Sequence, residues 1–383
     1  MNQGKYVFAQ VVDFLPQRIF DKFVKKHDGN KYVRHFTCWS QLLCMVFGQL
    51  TNRDSLRDLV IAINAHNNKS YHLGFGKSVT LSNLAKANQN RSSKIFEEFA
   101  YHLIAIARKV RSNDDFEIKG QVYAFDSSTI DLCLSVFWWA KFRKTKGGIK
   151  LNTLFDINTQ IPAFIHISPA SIHDVNAMDF LVYEVGAYYI FDRGYVDYTR
   201  LYKINQLAAF FVVRAKSNLK FHRMYSRKYD KTSGVKSDQI GKLTGFYVSK
   251  EYPGKIRKVR FYDEETDRTF TFLTNNMELS AEQIAFLYKQ RWQVELFFKW
   301  IKQHLKIKAF GGTTENAVRI QIYSAIIAYC LVAIIGTSLE IDRSTYEILQ
   351  VLGISLLDKT PVKVLLTNVN YNDVKEQFYN QLS

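Results

Sequence analysis

Residues 121–126 read QVYAFD and residues 187–192 read AYYIFD. Each is a short run of apolar and aromatic residues closed by an aspartate, the composition of a strand that stops at a polar turn. Lys150–Ile157 and Pro162–Ser168 follow the first run as two more strands. Asp174–Val185 reads as helix ahead of the second run. Tyr198–Gln206 reads as helix after it, and Ala208–Arg214 (AAFFVVR) as a further strand. Three strands close together, followed by strand–helix–strand alternation, predict a mixed sheet with helices on its faces. Taken singly, Asp126 or Asp192 is well explained as a turn former. Taken together, they are two carboxylates at strand carboxyl ends, where open α/β sheets gather functional groups.

A third carboxylate lies further along. From Ser280, followed by Glu282 and Gln283, a helix is predicted to run to about Ile307. At 100° per residue, Tyr288, Arg291, Glu295 and Lys302 fall on one stripe about 60° wide. Phe286, Leu287, Val294, Phe297, Phe298, Trp300 and Ile301 occupy a broad apolar face. An i,i+4 ion pair accounts for Arg291 and Glu295 but not for the alignment of all four. Asp126, Asp192 and Glu295, with no His or Cys ligand beside them, make a hard-oxygen set that selects Mg²⁺ or Mn²⁺ over zinc. Two such ions suit phosphodiester cleavage and transfer.

The charge balance agrees. Among 383 residues, 52 Lys and Arg stand against 35 Asp and Glu, a net charge of +17, which predicts a polyanionic partner, nucleic acid before membrane. Residues 214–260 concentrate the excess, with fourteen Lys or Arg against three acids, interleaved with Phe and Tyr. This stretch reads as a β-rich segment lying along phosphates, with Lys216 and Arg223 among its contacts. Trp138–Lys150 (WWAKFRKTKGGIK) is a second basic stretch beside Asp126. Residues 1–115 read as helical. A short helix capped by Thr80 or Ser82 carries Asn83, Lys86, Asn88, Gln89 and Arg91 on its outer side and suits a DNA groove. Cys38, Cys44, Cys133 and Cys330 form no CxxC pair, which fits a reducing cytosol. No signal pattern opens the sequence. The apolar run Ile322–Ile335 is too short for a bilayer and reads as a core helix, so no membrane partner is expected.

The spacing Tyr288-x2-Arg291-x3-Glu295-x6-Lys302 resembles the Tyr-Arg-Glu-Lys signature of the DDE transposases of bacterial insertion sequences, the family numbered four. Asp126 in FDSST resembles that family's first-aspartate motif and Asp192 in FDRGY its second. The resemblance implies an α/β, ribonuclease-H-like mixed-sheet core with a basic β-rich insertion, preceded by an α-helical DNA-binding domain. The boundaries expected are 1–115 for the helical domain, 116–213 and 276–340 for the two parts of the core, 214–275 for the insertion, and 341–383 for a helical tail. It implies cut-and-paste transposition through a hairpin, with Asp126, Asp192 and Glu295 holding two Mg²⁺ or Mn²⁺ ions. Tyr288, Arg291 and Lys302 would contact the phosphates near the cut. The implied partners are double-stranded DNA, as element ends and target, and a second copy forming a homodimer on DNA. The implied location is the cytoplasm, at the nucleoid. Two other readings, a non-catalytic DNA-binding regulator and a nuclease that cuts without joining, leave the four-residue stripe or the basic segment without a use.

Overall fold

The computed structural model describes residues 4–75, 79–112, 118–132, 138–143, 146–305 and 312–367. Two compact units divide the chain. One comprises residues 1–111 and 300–383, the other residues 112–299.

The first unit begins with α1 (Val7–Val12), α2 (Gln17–Lys26), α3 (Cys38–Leu50), α4 (Leu56–Ala65), α5 (Leu81–Asn90) and α6 (Lys94–Arg111). Thr37, Ser55 and Thr80 cap α3, α4 and α5, each accepting a hydrogen bond from the backbone N–H three residues on. α3 is apolar around its circumference and is buried along nearly its whole length. Phe20 of α2 packs its ring on Trp39, Phe96 and Phe99.

The second unit carries the sheet. Its strands are β1 (Val122–Leu132), β2 (Lys141–Arg143), β3 (Lys146–Asp156), β4 (Ile161–Pro169), β5 (Tyr188–Phe191), β6 (Phe210–Arg214), β7 (Phe221–Ser226), β8 (Val235–Leu243), β9 (Ile256–Asp263) and β10 (Arg268–Thr274). They hydrogen-bond in the order β2-β3-β1-β5-β6-β10-β9-β8-β7, and β4 pairs with β3. β1, β3 and β4 form an antiparallel meander, while β5 and β6 run parallel to β1. Helix α7 (Tyr198–Gln206) connects β5 to β6. It caps itself through Asp197, which accepts from the Arg200 N–H. The predicted helix over Asp174–Val185 is instead a short 3₁₀ segment, Asp174–Phe180. Asp174 to Phe180 tightens into i→i+3 turns, and an extended stretch then leads into β5.

The basic stretch is β-rich as expected, but it is not a separate body. β10 pairs with β6, so β10, β9, β8 and β7 prolong the same sheet. The short helix α8 (Val248–Glu251) sits between β8 and β9. Tyr123, Tyr189, Phe125, Phe191, Phe211, Val213, Leu201, Ile204, Tyr252 and Leu273 make one core cluster on the α7 side of the sheet. Of the Trp138–Lys150 stretch, residues 144–145 lie outside the described residues.

The long helix expected from Ser280 is two helices, α9 (Ala281–Lys289) and α10 (Trp292–Leu305). A capping box between Ser280 and Gln283 starts α9. At the break the backbone tightens. Arg291 N–H donates to Tyr288 O, Gln293 N–H to Gln290 O and Val294 N–H to Arg291 O, all i→i−3 bonds. The chain passes from the second unit to the first within α10, at Trp300. Residues 306–311, beyond its end, lie outside the described residues.

The chain then forms α11 (Glu315–Ser338), α12 (Thr345–Ser355) and α13 (Val362–Leu366). α11 is long and apolar enough to cross a membrane by length and composition, a correction to the shorter run read from the sequence, yet 89% of its apolar window is buried. It packs on α3, α5, α6 and α12. α11 therefore belongs with the N-terminal helices and not with the 276–340 core piece expected from the sequence. The physical reason is the all-round apolar surface of α11, which needs helices on every side. The expected tail is likewise stitched onto α1. Val7 N–H donates to Asp358 O, and the Gln10 side chain donates to Thr360 O and accepts from Val362 N–H. Residues 368–383 lie outside the described residues.

Candidate active site

Register places the two aspartates. Phe125 pairs with Phe191 in the parallel β1–β5 ladder. The next residues are Asp126 and Asp192, so these stand side by side on adjacent strands, about 4.8 Å apart in the hydrogen-bonding direction. Asp192 follows the last residue of β5, but Asp126 does not close its strand as expected from the sequence: β1 leaves β5 after Phe125 and runs on to Leu132, held by its ladder with β3. Phe125 and Phe191 point into the α7-side core. Alternation along a strand then turns Asp126 and Asp192 to the opposite face, the one covered by α9.

Helices α9 and α10 bring the rest. The Tyr288 hydroxyl donates to Asp192 Oδ1 at 3.1 Å. Arg291 donates from Nη1 to Asp126 Oδ2 at 2.9 Å and from Nη2 to Glu295 Oε1 at 2.7 Å. Arg291 thus bridges the β1 carboxylate and the helix carboxylate. The turn between α9 and α10 sets this direction, since Arg291 lies in that turn. Val294, Phe297, Phe298 and Ile301 bury the opposite face of α10, and Phe297 packs on Phe155 of β3. Beneath the aspartates the Tyr195 ring rests on Phe125 and Phe191.

The electrostatics follow from this packing. Burial pushes the Asp126 carboxyl up to about 6. The Ser127 N–H and Arg291 oppose that rise, and the charges of Asp192 and Glu295 add to it. Asp126 is therefore coupled to both other carboxylates. Tyr288 is pushed up to about 12, first by burial and then by the Asp192 charge. The donor set is carboxylate only, which suits a hard divalent cation. Among the described residues, however, no three His, Cys, Asp or Glu side chains are gathered closely enough to hold an ion as they stand. The Arg291 guanidinium occupies the space between Asp126 and Glu295 and supplies the compensating positive charge.

The remaining sequence candidates divide. Lys302 is exposed on α10, two turns beyond Glu295. Lys216 is exposed, and its ammonium donates to Val196 O. Arg223 is exposed on β7, at the edge of the sheet. In the helical unit Lys86, Asn83 and Gln89 are exposed on α5. Arg91 is not a surface contact. Its guanidinium donates to Thr37 O, to Gln41 Oε1 and to Phe36 O, and it stacks on the Phe36 ring. Asn88 is also buried, donating to Met45 Sδ and accepting from Gln41. Leu84, Ala87 and Asn88 share the inward face of α5, which turns Asn88 away from solvent. One neighbour of the site is absent from the residues singled out in the sequence. β6 pairs with β5 so that Val213 stands opposite Phe191. Arg214 therefore follows Asp126 and Asp192 in the same row. A signal is present, since the apolar runs of all three strands are closed by a charge, but Arg214 is also the first cation of the basic stretch.

The sequence pattern of the transposase DDE domain matches residues 117–331, more than half of the chain. The chain belongs to the DDE transposases. A further pattern, described as a domain of unknown function, matches residues 3–76. The transposase is 35% identical over 272 residues to a Sinorhizobium fredii protein named as transposase y4zB, covering 70% of this chain and 74% of that one. It is 32% identical over 215 residues to a Geobacillus stearothermophilus protein named as the transposase of insertion sequence element IS5377, covering 54% of each. It is 26% identical over 294 residues to a Synechocystis protein named as a transposase for insertion sequence element IS4SA, covering 74% of this chain and 80% of that one. Among solved structures it is similar to a piggyBac transposase synaptic complex with hairpin DNA, with a TM-score of 0.49 and 11% identity, covering 98% of this chain and 85% of that one. As a DDE transposase it is a phosphodiester-cleaving and phosphodiester-joining enzyme that acts on DNA.

Proposed function

We propose that this transposase moves an insertion sequence of the family-four type by cut and paste, with Asp126, Asp192 and Glu295 as its catalytic carboxylates on a ribonuclease-H-like core. The observation that carries the reading is the register match of Asp126 and Asp192 on adjacent strands, with Arg291 joining Asp126 to the helix glutamate Glu295 and Tyr288 holding Asp192. The meander β4-β3-β1 followed by the parallel strands β5 and β6 supports the core assignment. Asp126, Asp192 and Glu295 would hold Mg²⁺ or Mn²⁺, two ions on this reading, with Arg291 moving from the carboxylates to DNA phosphate. Bound there, such ions would neutralise charge at the scissile phosphate and lower the pKa of the attacking hydroxyl or water. Arg291 and Lys302 grip phosphate oxygens, and Tyr288 donates a hydrogen bond to one. Lys216 and Arg223 extend the contact along the sheet extension, and Lys86 on α5 contacts the element end. Cutting and joining two ends needs two active sites, so a homodimer forms on paired ends, each subunit cleaving the end that its partner binds. The freed 3′-hydroxyl attacks the opposite strand to give a hairpin before target joining.

The test is strand cleavage of a duplex carrying the terminal inverted repeat that flanks the reading frame, in Mg²⁺, read on a denaturing gel. Asp126→Asn, Asp192→Asn and Glu295→Gln are each expected to abolish nicking and hairpin products while leaving gel-shift binding within about threefold, under 1 kcal/mol. Cleavage surviving any of the three removes that carboxylate from the catalytic set.

A further inference from the structure

Arg214 ends β6, Asp192 follows the end of β5, and Asp126 follows the last β1 residue that pairs with β5. Phe125, Phe191 and Val213 form one line across three parallel strands, so the residues after them form the next line. Val213 faces the α7-side core, which turns Arg214 to the α9 side with the two aspartates. Adjacent strands lie about 4.8 Å apart, so Arg214 flanks Asp192 on the side away from Asp126.

Its surroundings are aromatic. The Arg214 guanidinium lies 5.1 Å from the centre of the Phe270 ring. Phe270 stacks on Phe272, and Phe272 packs on Tyr288 at 4.6 Å. The Arg214 charge reaches the Tyr288 phenol, where it opposes the rise caused by burial. Arg214 is half-buried, and among the described residues its guanidinium has no hydrogen bond or ion pair. That separates it from Arg291, whose Nη1 and Nη2 are taken by Asp126 and Glu295 while its Nε has no partner among the described residues. A guanidinium has five N–H donors, and none of the Arg214 nitrogens is sealed from solvent, so they are open to an incoming acceptor while the ring face steadies the cation.

We propose that Arg214 binds a DNA phosphodiester on the Asp192 side of the cleaved bond, resting on Phe270 until that phosphate arrives. The planar fork of an arginine matches two phosphate oxygens. The site takes any backbone phosphate whatever its base, because nothing in this row reads a base edge. The proposal rests on the reading of Asp126, Asp192 and Glu295 as the catalytic set.

The experiment is a scan of single methylphosphonate substitutions across the phosphates flanking the cut, on the end duplex described above, with the full chain as wild type, Arg214→Gln and Arg214→Lys. Wild type is expected to lose about 10- to 100-fold in cleavage rate at one position near the cut, the size of a lost charge-assisted hydrogen bond. Arg214→Gln is expected to lose a similar factor on native DNA and to show no further loss at that one position. Arg214→Lys, which keeps the charge without the fork, should recover part of the rate. Should Arg214→Gln fail to fold, the comparison between wild type and Arg214→Lys carries the same test, since a lysine should blunt sensitivity at that position. A methylphosphonate profile in Arg214→Gln or Arg214→Lys identical to that of wild type overturns the proposal. Asp192→Asn separates the two readings. If it still cuts, the catalytic set is wrong, and if it is dead while Arg214→Gln cuts normally, only the role of Arg214 falls.

Discussion

Arg257→Met should unseat the helix that carries Tyr288. Arg257 and Asp238 have side-chain exposures of 0% and 2% and pair through Nε and Nη2 at 2.8 and 2.7 Å. The remaining Nη1 donates to Leu279 O at 2.7 Å and to Asn276 O at 3.3 Å, in the turn that leads into α9. One side chain therefore ties β9 and β8 to the start of α9. Removing one partner of a buried pair costs about 3–5 kcal/mol, because the other charge is left without compensation. Arg227 Nε already stands 3.8 Å from Asp238 and can close in, which puts the expected loss near 3 kcal/mol, the lower end of that range. At about 2–4 °C per kcal/mol for a body of this size, the melting temperature should fall by roughly 6–12 °C. The assay is calorimetric unfolding of wild type, Arg257→Met, Asp238→Leu and the double variant. The double should recover most of the loss, since an apolar pair of similar volume is often neutral in place of a buried ion pair. A single variant within about 1 kcal/mol of wild type, or a double no better than the singles, would refute the tie. Arg257→Met should also leave the salt dependence of DNA binding unchanged, because this cation is internal.

In metal-free buffer Asp126→Asn should be more stable than wild type at pH 7.5. The native carboxyl is raised from 3.8 to about 6, so its ionisation costs folding up to about 3 kcal/mol above pH 6. That cost is relieved as pH falls through 6 towards 3.8. Melting curves with EDTA between about pH 4 and 8 should converge at the acid end, and parallel curves would contradict the assignment. Reversing Arg223 and Lys228, both exposed, should weaken DNA binding and lower the slope of log affinity against log salt by about 0.9 for each phosphate that is no longer neutralised. Gel shifts between 50 and 200 mM salt are expected to show this. Lys86→Glu should weaken binding to element ends with no change in melting temperature. Arg91→Ala should instead destabilise the helical unit by about 1–3 kcal/mol, the cost of stranding buried acceptors, which thermal melts would register.

The sequence makes the strands legible because strand composition is a local property, and the charge of Asp192 does stand at the end of β5. Asp126 does not mark the end of β1, which runs on to Leu132 because the residues after it pair with β3, a long-range partner that the polar run at 127–129 conceals. Strand order is not legible either, since the pairing of β10 with β6 joins residues far apart in the chain and leaves no local mark. The division of the expected helix into α9 and α10 is equally silent, because no Gly or Pro stands at Gln290–Arg291. Charge reports that a residue wants a counter-charge, not where it finds one. Arg91 and Arg257 read as surface cations and turn inward to carbonyls and a carboxylate. Asp342 onward carries little pattern of its own, and its place follows from backbone contacts with α1.

The run of strands from β10 to β7 leaves β7 as a terminal strand whose outer edge no other described strand covers. An uncovered strand edge is a template on which another chain can add itself. His222, Arg223, Tyr225 and Ser226 are exposed there, with Lys228 just beyond. One role of this positive charge is thus defensive, since copies of the protein that approach edge to edge repel each other. Replacing these residues with neutral ones to weaken DNA binding would also remove that protection. Preparations of such variants should cloud first at high salt and high concentration, where the remaining repulsion is screened.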